Sequence, residues 1–380
     1  MKAVRAATCV CLVLAIAFAA SSVASSSATE RLVDNRIKPV IIDHQPPVQW
    51  LFGSTANAGI ATPWNASNRM DVLEPLSNIV TAATSADMNR DGIIELVIAT
   101  DSGVNYLVAI PEPGSNVYSE WAGPAGAVSI CAGDLNNDGM LDLVAARPDG
   151  QNAVLINKGA GTNYTPHALG TLGRSSLAVR LGDLNRDGWL DILEVNTGVN
   201  RTLAYFNDGT GTNWTKPGLI VGQNVDATDA QIGDFDGNGV DDIVIVSGNE
   251  WPNYLYVNDG TGSNYVPVVL NPRGVTQGVA LGDLNNDGLL DIVEVNALGG
   301  LDNGRDIIYI ANAPGTNFTV LDTVLSAGDN SSCVSISDMN NDGAPDIIVG
   351  IDDSTPSALY LNAGSGAAFA RYNVQDVADA

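Results

Sequence analysis

Short apolar runs separated by Gly, Asn and Asp recur along this chain. One stretch shows the plan. SLAVRL at 176–181, ILEVN at 192–196 and TLAYFN at 202–207 read as three strands, and a fourth is expected near Trp214. Runs of roughly 4–8 residues rich in β-branched and aromatic side chains, bounded by turn formers, are strand signals. No long segment places its apolar residues at the helical period, so helices are not expected. The same succession returns about every 50 residues, which signals one supersecondary unit per repeat. Four antiparallel strands per repeat make a propeller blade. The predicted fold class is all-β, a beta-propeller. Seven blades are favoured and six are the alternative.

The turn between the third and fourth strands repeats as well. It begins at Asn157, Asn207, Asn258 and Asn362, with glycines two and four residues on. Such turns tolerate positive φ and suit hairpins. An aromatic follows each: Tyr164, Trp214, Tyr265 and Phe369. Its regular recurrence points to packing between neighbouring units.

Between the first and second strands lies a more telling pattern, D-x-[DN]-x-[DN]-G-x-x-[DE]. It begins at Asp87, Asp134, Asp183, Asp234, Asp283 and Asp338. Positions 1, 3, 5 and 9 offer oxygen side chains. They are Asp87, Asn89, Asp91 and Glu95 in loop 1, Asp134, Asn136, Asp138 and Asp142 in loop 2, and Asp183, Asn185, Asp187 and Asp191 in loop 3. Loop 4 supplies Asp234, Asp236, Asn238 and Asp242, loop 5 Asp283, Asn285, Asp287 and Asp291, and loop 6 Asp338, Asn340, Asp342 and Asp346. Position 7 can add a backbone carbonyl, from Ile93, Met140, Trp189, Val240, Leu289 or Ala344. Position 6 is always glycine, which permits the sharp turn around an ion. Carboxylate, amide and carbonyl oxygens suit Ca²⁺, up to six ions, whereas Mg²⁺ demands tighter octahedral geometry. The ions would be structural, since a loop of aspartates is otherwise self-repelling. EF-hands are not expected. Glu194 and Glu294 fall at the twelfth loop position, but the other loops place Ile98, Ala145, Ile245 and Val349 there, and the flanks are strands.

Charge and leader narrow the setting. The formal net charge is −26, partly a signature of these loops, and it makes nucleic acid a poor partner. Lys2 and Arg5, an apolar run from Ala6 to Ala20 and Ser22-Val23-Ala24 read as a signal peptide over 1–24. No later segment is long enough to span a bilayer as a helix. The chain is therefore expected to be secreted. Residues 25–36 read as a flexible segment, 37–80 as a degenerate blade without a metal loop, and 81–380 as six repeats. Past the leader only Cys131 and Cys333 remain, and they are expected to be free thiols.

The six loops, the preceding Gly-Asp pairs (Gly133-Asp134, Gly182-Asp183, Gly233-Asp234, Gly282-Asp283) and the N-x-G-x-G turns resemble the FG-GAP/VCBS family of β-propeller repeats. That family includes integrin α-chain heads, some fungal lectins and many secreted bacterial proteins. The likeness covers roughly residues 75–380. It implies a propeller with Ca²⁺ carried by Asp134, Asn136, Asp138 and Asp142 and by the matching residues of each loop. The chain has neither the leg nor the span of an integrin α-chain, and the VCBS type is the closer likeness.

The family does not specify a ligand. The loops joining strands two and three share the face opposite the metal loops with the connections between units. That face should carry Arg147, Asp149, Arg174, Glu250, Trp251, Arg273 and a loop from Ala297 to Arg305. Glu250 and Trp251, with Arg273 and Arg305, are the candidate ligand contacts, because an indole beside a carboxylate can stack on a sugar and accept its hydroxyls. Sequons stand at Asn65, Asn163, Asn200, Asn213, Asn317 and Asn330. His44 and His167 are the only histidines, and no nucleophile elbow occurs. A binding module for glycans or extracellular proteins is expected, with a polysaccharide lyase or hydrolase, or a structural matrix component, as alternatives.

Overall fold

The computed structural model describes residues 80–374, apart from 93, 113–114, 160, 173, 199–200, 216–218, 222–225, 250, 272–273, 300–302, 322–324, 326–327, 341 and 353–355. The leader, the 25–36 segment and the expected degenerate blade lie outside these residues, except that Val80 opens the first strand. The described residues form strands and turns, and no helix. No helix among them is long and apolar enough to cross a membrane.

Six four-stranded antiparallel sheets follow one another, spanning 80–122, 129–169, 176–220, 227–269, 276–321 and 331–374. We call them units 1 to 6. In each, the strands pair in sequence order. The first strands stand side by side in series, from Val80–Ala86 through Ser129–Gly133, Ser176–Gly182, Ala227–Gly233 and Thr276–Gly282 to Ser331–Ser337. This is the blade-on-blade packing of a propeller. In unit 3 the fourth strand is Leu219–Ile220, later than expected, and Trp214 makes only an isolated bridge to Asn207. Trp214 keeps the register that Tyr164 and Tyr265 hold opposite Asn157 and Asn258, and it is buried in the cluster that holds Leu135 and Ile156 of unit 2.

The second strands explain why the apolar runs are continuous. Asp142–Ala146, Asp191–Asn196, Asp242–Ser247 and Asp346–Ile351 are buried at every position. Both faces of the sheets in units 2 to 5 meet a described neighbour, so strict alternation is not required of their inner strands. The core is accordingly a series of interfaces. One joins Leu135, Val144 and Ile156 of unit 2 to Val179, Ile192 and Tyr205 of unit 3. Another joins Leu184 and Val195 of unit 3 to Ile243 and Tyr256 of unit 4. Emptying one such site, for example by Leu193→Ala, would cost about 2–5 kcal/mol.

Along the innermost strands, side chains of one unit grip the backbone of the next. Ser129 Oγ accepts the N–H of Val179 (3.3 Å) and Cys131 Sγ donates to its carbonyl (2.8 Å). Asp229 Oδ2 accepts the N–H of Val279 (3.3 Å) and Gln231 Nε2 donates to its carbonyl (3.3 Å). Between units 3 and 4, Arg180 and Asp229 form an ion pair at 2.5 Å. Cys131 and Cys333 form no disulfide.

Candidate metal centres

All six loops fold alike. The position-1 carboxylate bends back over the turn, accepting the N–H of position 5 on one oxygen and that of the position-6 glycine on the other. In loop 3 these are Asp187 (3.1 Å) and Gly188 (2.9 Å), both to Asp183. In loop 6 they are Asp342 (3.1 Å) and Gly343 (2.8 Å), both to Asp338. The position-3 side chain accepts the same position-5 N–H, as Asn136 does from Asp138 and Asp236 from Asn238, each at 3.0 Å. Position 5 then accepts the N–H of position 7, as Asp138 does from Met140 and Asp187 from Trp189. Positions 4 and 6 turn left-handed: Arg186 has φ 61° and Gly188 φ 87°. The alternate side chains 1, 3 and 5 are thereby drawn to one side of the loop.

Position 9 behaves differently. It opens the second strand and is fully buried in all six loops. In loop 3, Asp191 Oδ2 accepts the N–H of Leu184 (3.0 Å) and Oδ1 that of Asn207, just after the third strand (2.9 Å). The same two bonds recur for Asp142, Asp242, Asp291 and Asp346. This residue therefore ties the loop to its sheet as well as facing the donor set. Each bonded oxygen keeps a further lone pair for a cation. Burial raises these carboxyls, Glu95 and Asp142 to about 7, Asp191 to about 8, and Asp242, Asp291 and Asp346 to about 6.

The donor set fits a hard cation. Carboxylate oxygens of Asp87, Asp91 and Glu95 lie within 4.8 Å of one another, as do those of Asp234, Asp236 and Asp242. Glu95 Oε2 accepts the N–H of Met88 (2.7 Å), while its buried Oε1 has no hydrogen-bond partner among the described residues. A buried anionic oxygen left without a donor is costly, and a cation beside it removes that cost.

Each of loops 1 to 5 is also locked to the following unit. Asn157, Asn207, Asn258 and Asn362 donate their side-chain N–H to the position-2 carbonyl of the preceding unit, Met88, Leu135, Leu184 and Leu284, at 2.6–2.9 Å. In unit 5, which lacks that asparagine, the backbone N–H of Gly315 reaches Phe235 O instead (2.7 Å). The aromatics after these turns pack across the interface, as Tyr164 does on Trp121 with ring centroids 4.9 Å apart. The Gly-Asp pairs are explained by the same contact. A Cβ on Gly133 would meet Leu190 Cδ1 at 2.8 Å, and one on Gly233 would meet Leu290 Cδ1 at 2.6 Å, both from the following unit's loop. The twelfth-position glutamates point away from the loops. Glu194 accepts from Ser176 Oγ (2.9 Å) and Glu294 from Tyr309 Oη (3.1 Å).

On the opposite end, Trp251 is exposed and Arg305 is exposed, whereas Glu250 and Arg273 lie outside the described residues. Arg147 is pinned there, donating to Ala125 O (3.0 Å) and Gln151 O (3.3 Å), and Arg174 donates to Thr171 Oγ1 (3.0 Å). Asn163, Asn213 and Asn317 are exposed. Asn213 Nδ2 donates to Asp208 (2.6 Å), and Asn264, which heads no sequon, makes the same bond to Asp259 (2.9 Å). The bond thus occurs with and without a sequon. Asn330 is half-buried, accepting from Leu298 N (3.2 Å) and donating to Asp352 O (3.4 Å). Asn65 and Asn200 are outside the described residues, as is Ile93. Two features escaped the sequence pattern. Asp241, at position 8 of loop 4, reaches loop 3, and Arg90 lies against Gly139 of loop 2.

Residues 87–145, 134–194 and 234–294 each match the FG-GAP-like repeat. The chain carries FG-GAP-like repeats. Each matched segment starts at the first aspartate of a loop and ends in the second strand of the next unit, so the FG-GAP frame encloses one of the interfaces described above. No curated protein matches the sequence. Among solved structures, an Agrocybe aegerita lectin, described as recognising non-reducing terminal N-acetylglucosamine, aligns at TM-score 0.52 and 19% identity over 77% of this chain and 79% of its own. A chain of the BBS1N complex with ARL6DN aligns at TM-score 0.53 and 11% identity, over 78% and 82%. At these identities the likeness is one of fold.

Proposed function

We propose that this FG-GAP protein is an exported, calcium-stabilised β-propeller of seven blades, six of them with metal loops, that binds a glycan or an extracellular protein. The observation that carries the metal reading is the six-fold recurrence of one oxygen-lined loop, in two of which three carboxylates offer oxygens within 4.8 Å of one another. Positions 1, 3, 5 and 9 and the position-7 carbonyl would hold each ion. Bound calcium supplies positive charge that cancels the mutual repulsion of these carboxylates and fixes the turn between the first two strands. The protein's own part is to hold those oxygens through the position-5 and position-6 amides, and to join loops 1, 2, 3 and 5 to the next unit through the asparagine lock. The binding reading is favoured by the loop-rich end that carries the exposed Trp251, which offers contact surface on a rigid frame.

The mature protein should show discrete hits on a glycan array in ~10⁻³ M Ca²⁺ that vanish in chelator. The array should include terminal N-acetylglucosamine, after the lectin of similar fold. A blank array from folded protein would move the assignment to a protein ligand, to be sought by pulldown from extracellular material. Hydrolysis or eliminative cleavage of an arrayed polysaccharide would overturn the binding reading in favour of an enzyme. A melting temperature unmoved by chelator would sink the structural role of calcium.

A further inference from the structure

We propose that Asp241 of unit 4 supplies part of the negative field that holds the cation in loop 3, so that one metal centre draws a charged residue from the neighbouring blade. This rests on the calcium reading of the loops. Position 8 is Leu141, Leu190 and Leu290 in loops 2, 3 and 5, and there it is a packing residue. Leu190 and Leu290 lie over the glycine that precedes the previous unit's loop. In loop 4 a carboxylate takes that place. Asp241 Oδ2 lies 2.8 Å from where a Cβ on Gly182 would stand, and accepts the N–H of Asp183 at 3.1 Å. Asp183 is position 1 of loop 3, and its own carboxylate folds over the Asp187 and Gly188 amides. Asp241 is thereby bonded to the first residue of loop 3, whose own oxygen side chains are Asp183, Asn185, Asp187 and Asp191.

Asp241 forms no ion pair among the described residues, where Arg180–Asp229 and Arg371–Asp329 are the pairs seen. An acid in a leucine's packing position loses solvation that this fold's other units avoid. A cation one residue away supplies the missing counter-charge. The neighbouring loop shows the opposite arrangement. An Arg90 guanidinium nitrogen lies 2.6 Å from where a Cβ on Gly139 would stand, which places positive charge against loop 2. Cross-unit charge therefore ranks loop 3 above loop 2 for cations, although the two loops share the same pattern residues.

Trp189, at position 7 of loop 3, makes this centre separately readable. Its indole covers Gly209 of the same unit, beside the ion-binding turn. Tb³⁺ would be titrated into the metal-free full chain with excitation through tryptophan. The emission lost in Trp189→Phe is assigned to loop 3, since that change keeps the backbone carbonyl. In Asp241→Asn, which retains an acceptor for the Asp183 N–H, Tb³⁺ affinity at loop 3 should fall about tenfold. Ca²⁺ affinity, read by competition, should fall by a smaller factor, about fivefold, because the attraction scales with cation charge. Asp241→Leu, the residue other loops carry, should behave alike while preserving the packing. Unchanged affinity in Asp241→Asn, or equal losses for Tb³⁺ and Ca²⁺, would overturn the proposal and leave the calcium reading standing. No Trp189-dependent emission in the unsubstituted protein would overturn both.

Discussion

Asn207 does the work of four backbone partners with one side chain. Its Nδ2 donates to Leu135 O (2.7 Å) and Leu190 O (3.1 Å), and its Oδ1 accepts from Gly209 N (3.1 Å) and Gly211 N (3.2 Å). Asn207→Ala would leave several buried polar groups unpaired and should lower stability by about 2–4 kcal/mol, read as a lower urea midpoint. A variant as stable as the parent would show that water takes over these bonds. Asp306 makes a second residue-scale case. It accepts from Asn296 N (2.8 Å) and Ser331 Oγ (2.9 Å), joining units 5 and 6. Units 2 and 4 use asparagine at the matching place, Asn152 to Ser176 and Asn253 to Thr276. Burial, and secondarily nearby Asp329, raises the Asp306 carboxyl from 3.8 to about 7. A raised carboxyl favours the folded state at low pH and loses that advantage as pH climbs through the folded value. Between pH 4 and 7 the wild type should therefore lose stability that Asp306→Asn keeps, on the order of 2 kcal/mol. Melting temperatures of the two proteins across pH should diverge in that window, and parallel curves would refute the assignment.

At the scale of the element, the loop and the hairpin turn act as a pair drawn from adjoining units. The sequence showed both, because each is a dense local pattern: D-x-[DN]-x-[DN]-G for the loop and Asn with two glycines for the turn. It also showed most second strands, whose burial on both faces leaves unbroken apolar runs such as Asp242–Ser247. The partners of these elements were not readable. Val179 is gripped by Ser129 and Cys131 about 50 residues away, and no local window contains both ends of that contact. Leu219–Ile220 was missed for a related reason. Trp214 looks like a strand residue by type and does pair with Asn207, but the pairing of Leu219–Ile220 with Leu203 and Ala204 lies several residues further on. The face expected to carry the ligand contacts holds Trp251 and Arg305, yet Arg147 there serves the chain's own loops. A guanidinium reads the same in sequence whether it is spent internally or offered to a ligand.

The whole molecule carries a formal charge of −26, and much of it converges at the loop end of the units. In chelator, added NaCl should raise the melting temperature by screening this repulsion, since the Debye length falls from about 10 Å at 0.1 M to about 3 Å at 1 M. In ~10⁻³ M Ca²⁺ the salt response should be much weaker. Equal salt responses in both conditions would argue that the loops are not where the repulsion resides.

The grips along the innermost strands carry one more consequence. Ser129 and Cys131 hold Val179, Arg180 holds Asp229, and Asp229 with Gln231 holds Val279, so no two junctions use the same residues. The units look interchangeable by their loops but are individually addressed by their inner edges. A gene in which units 2 and 4 were exchanged would keep every loop and turn, and would still set Ser129 where Arg180 now finds the Asp229 carboxylate.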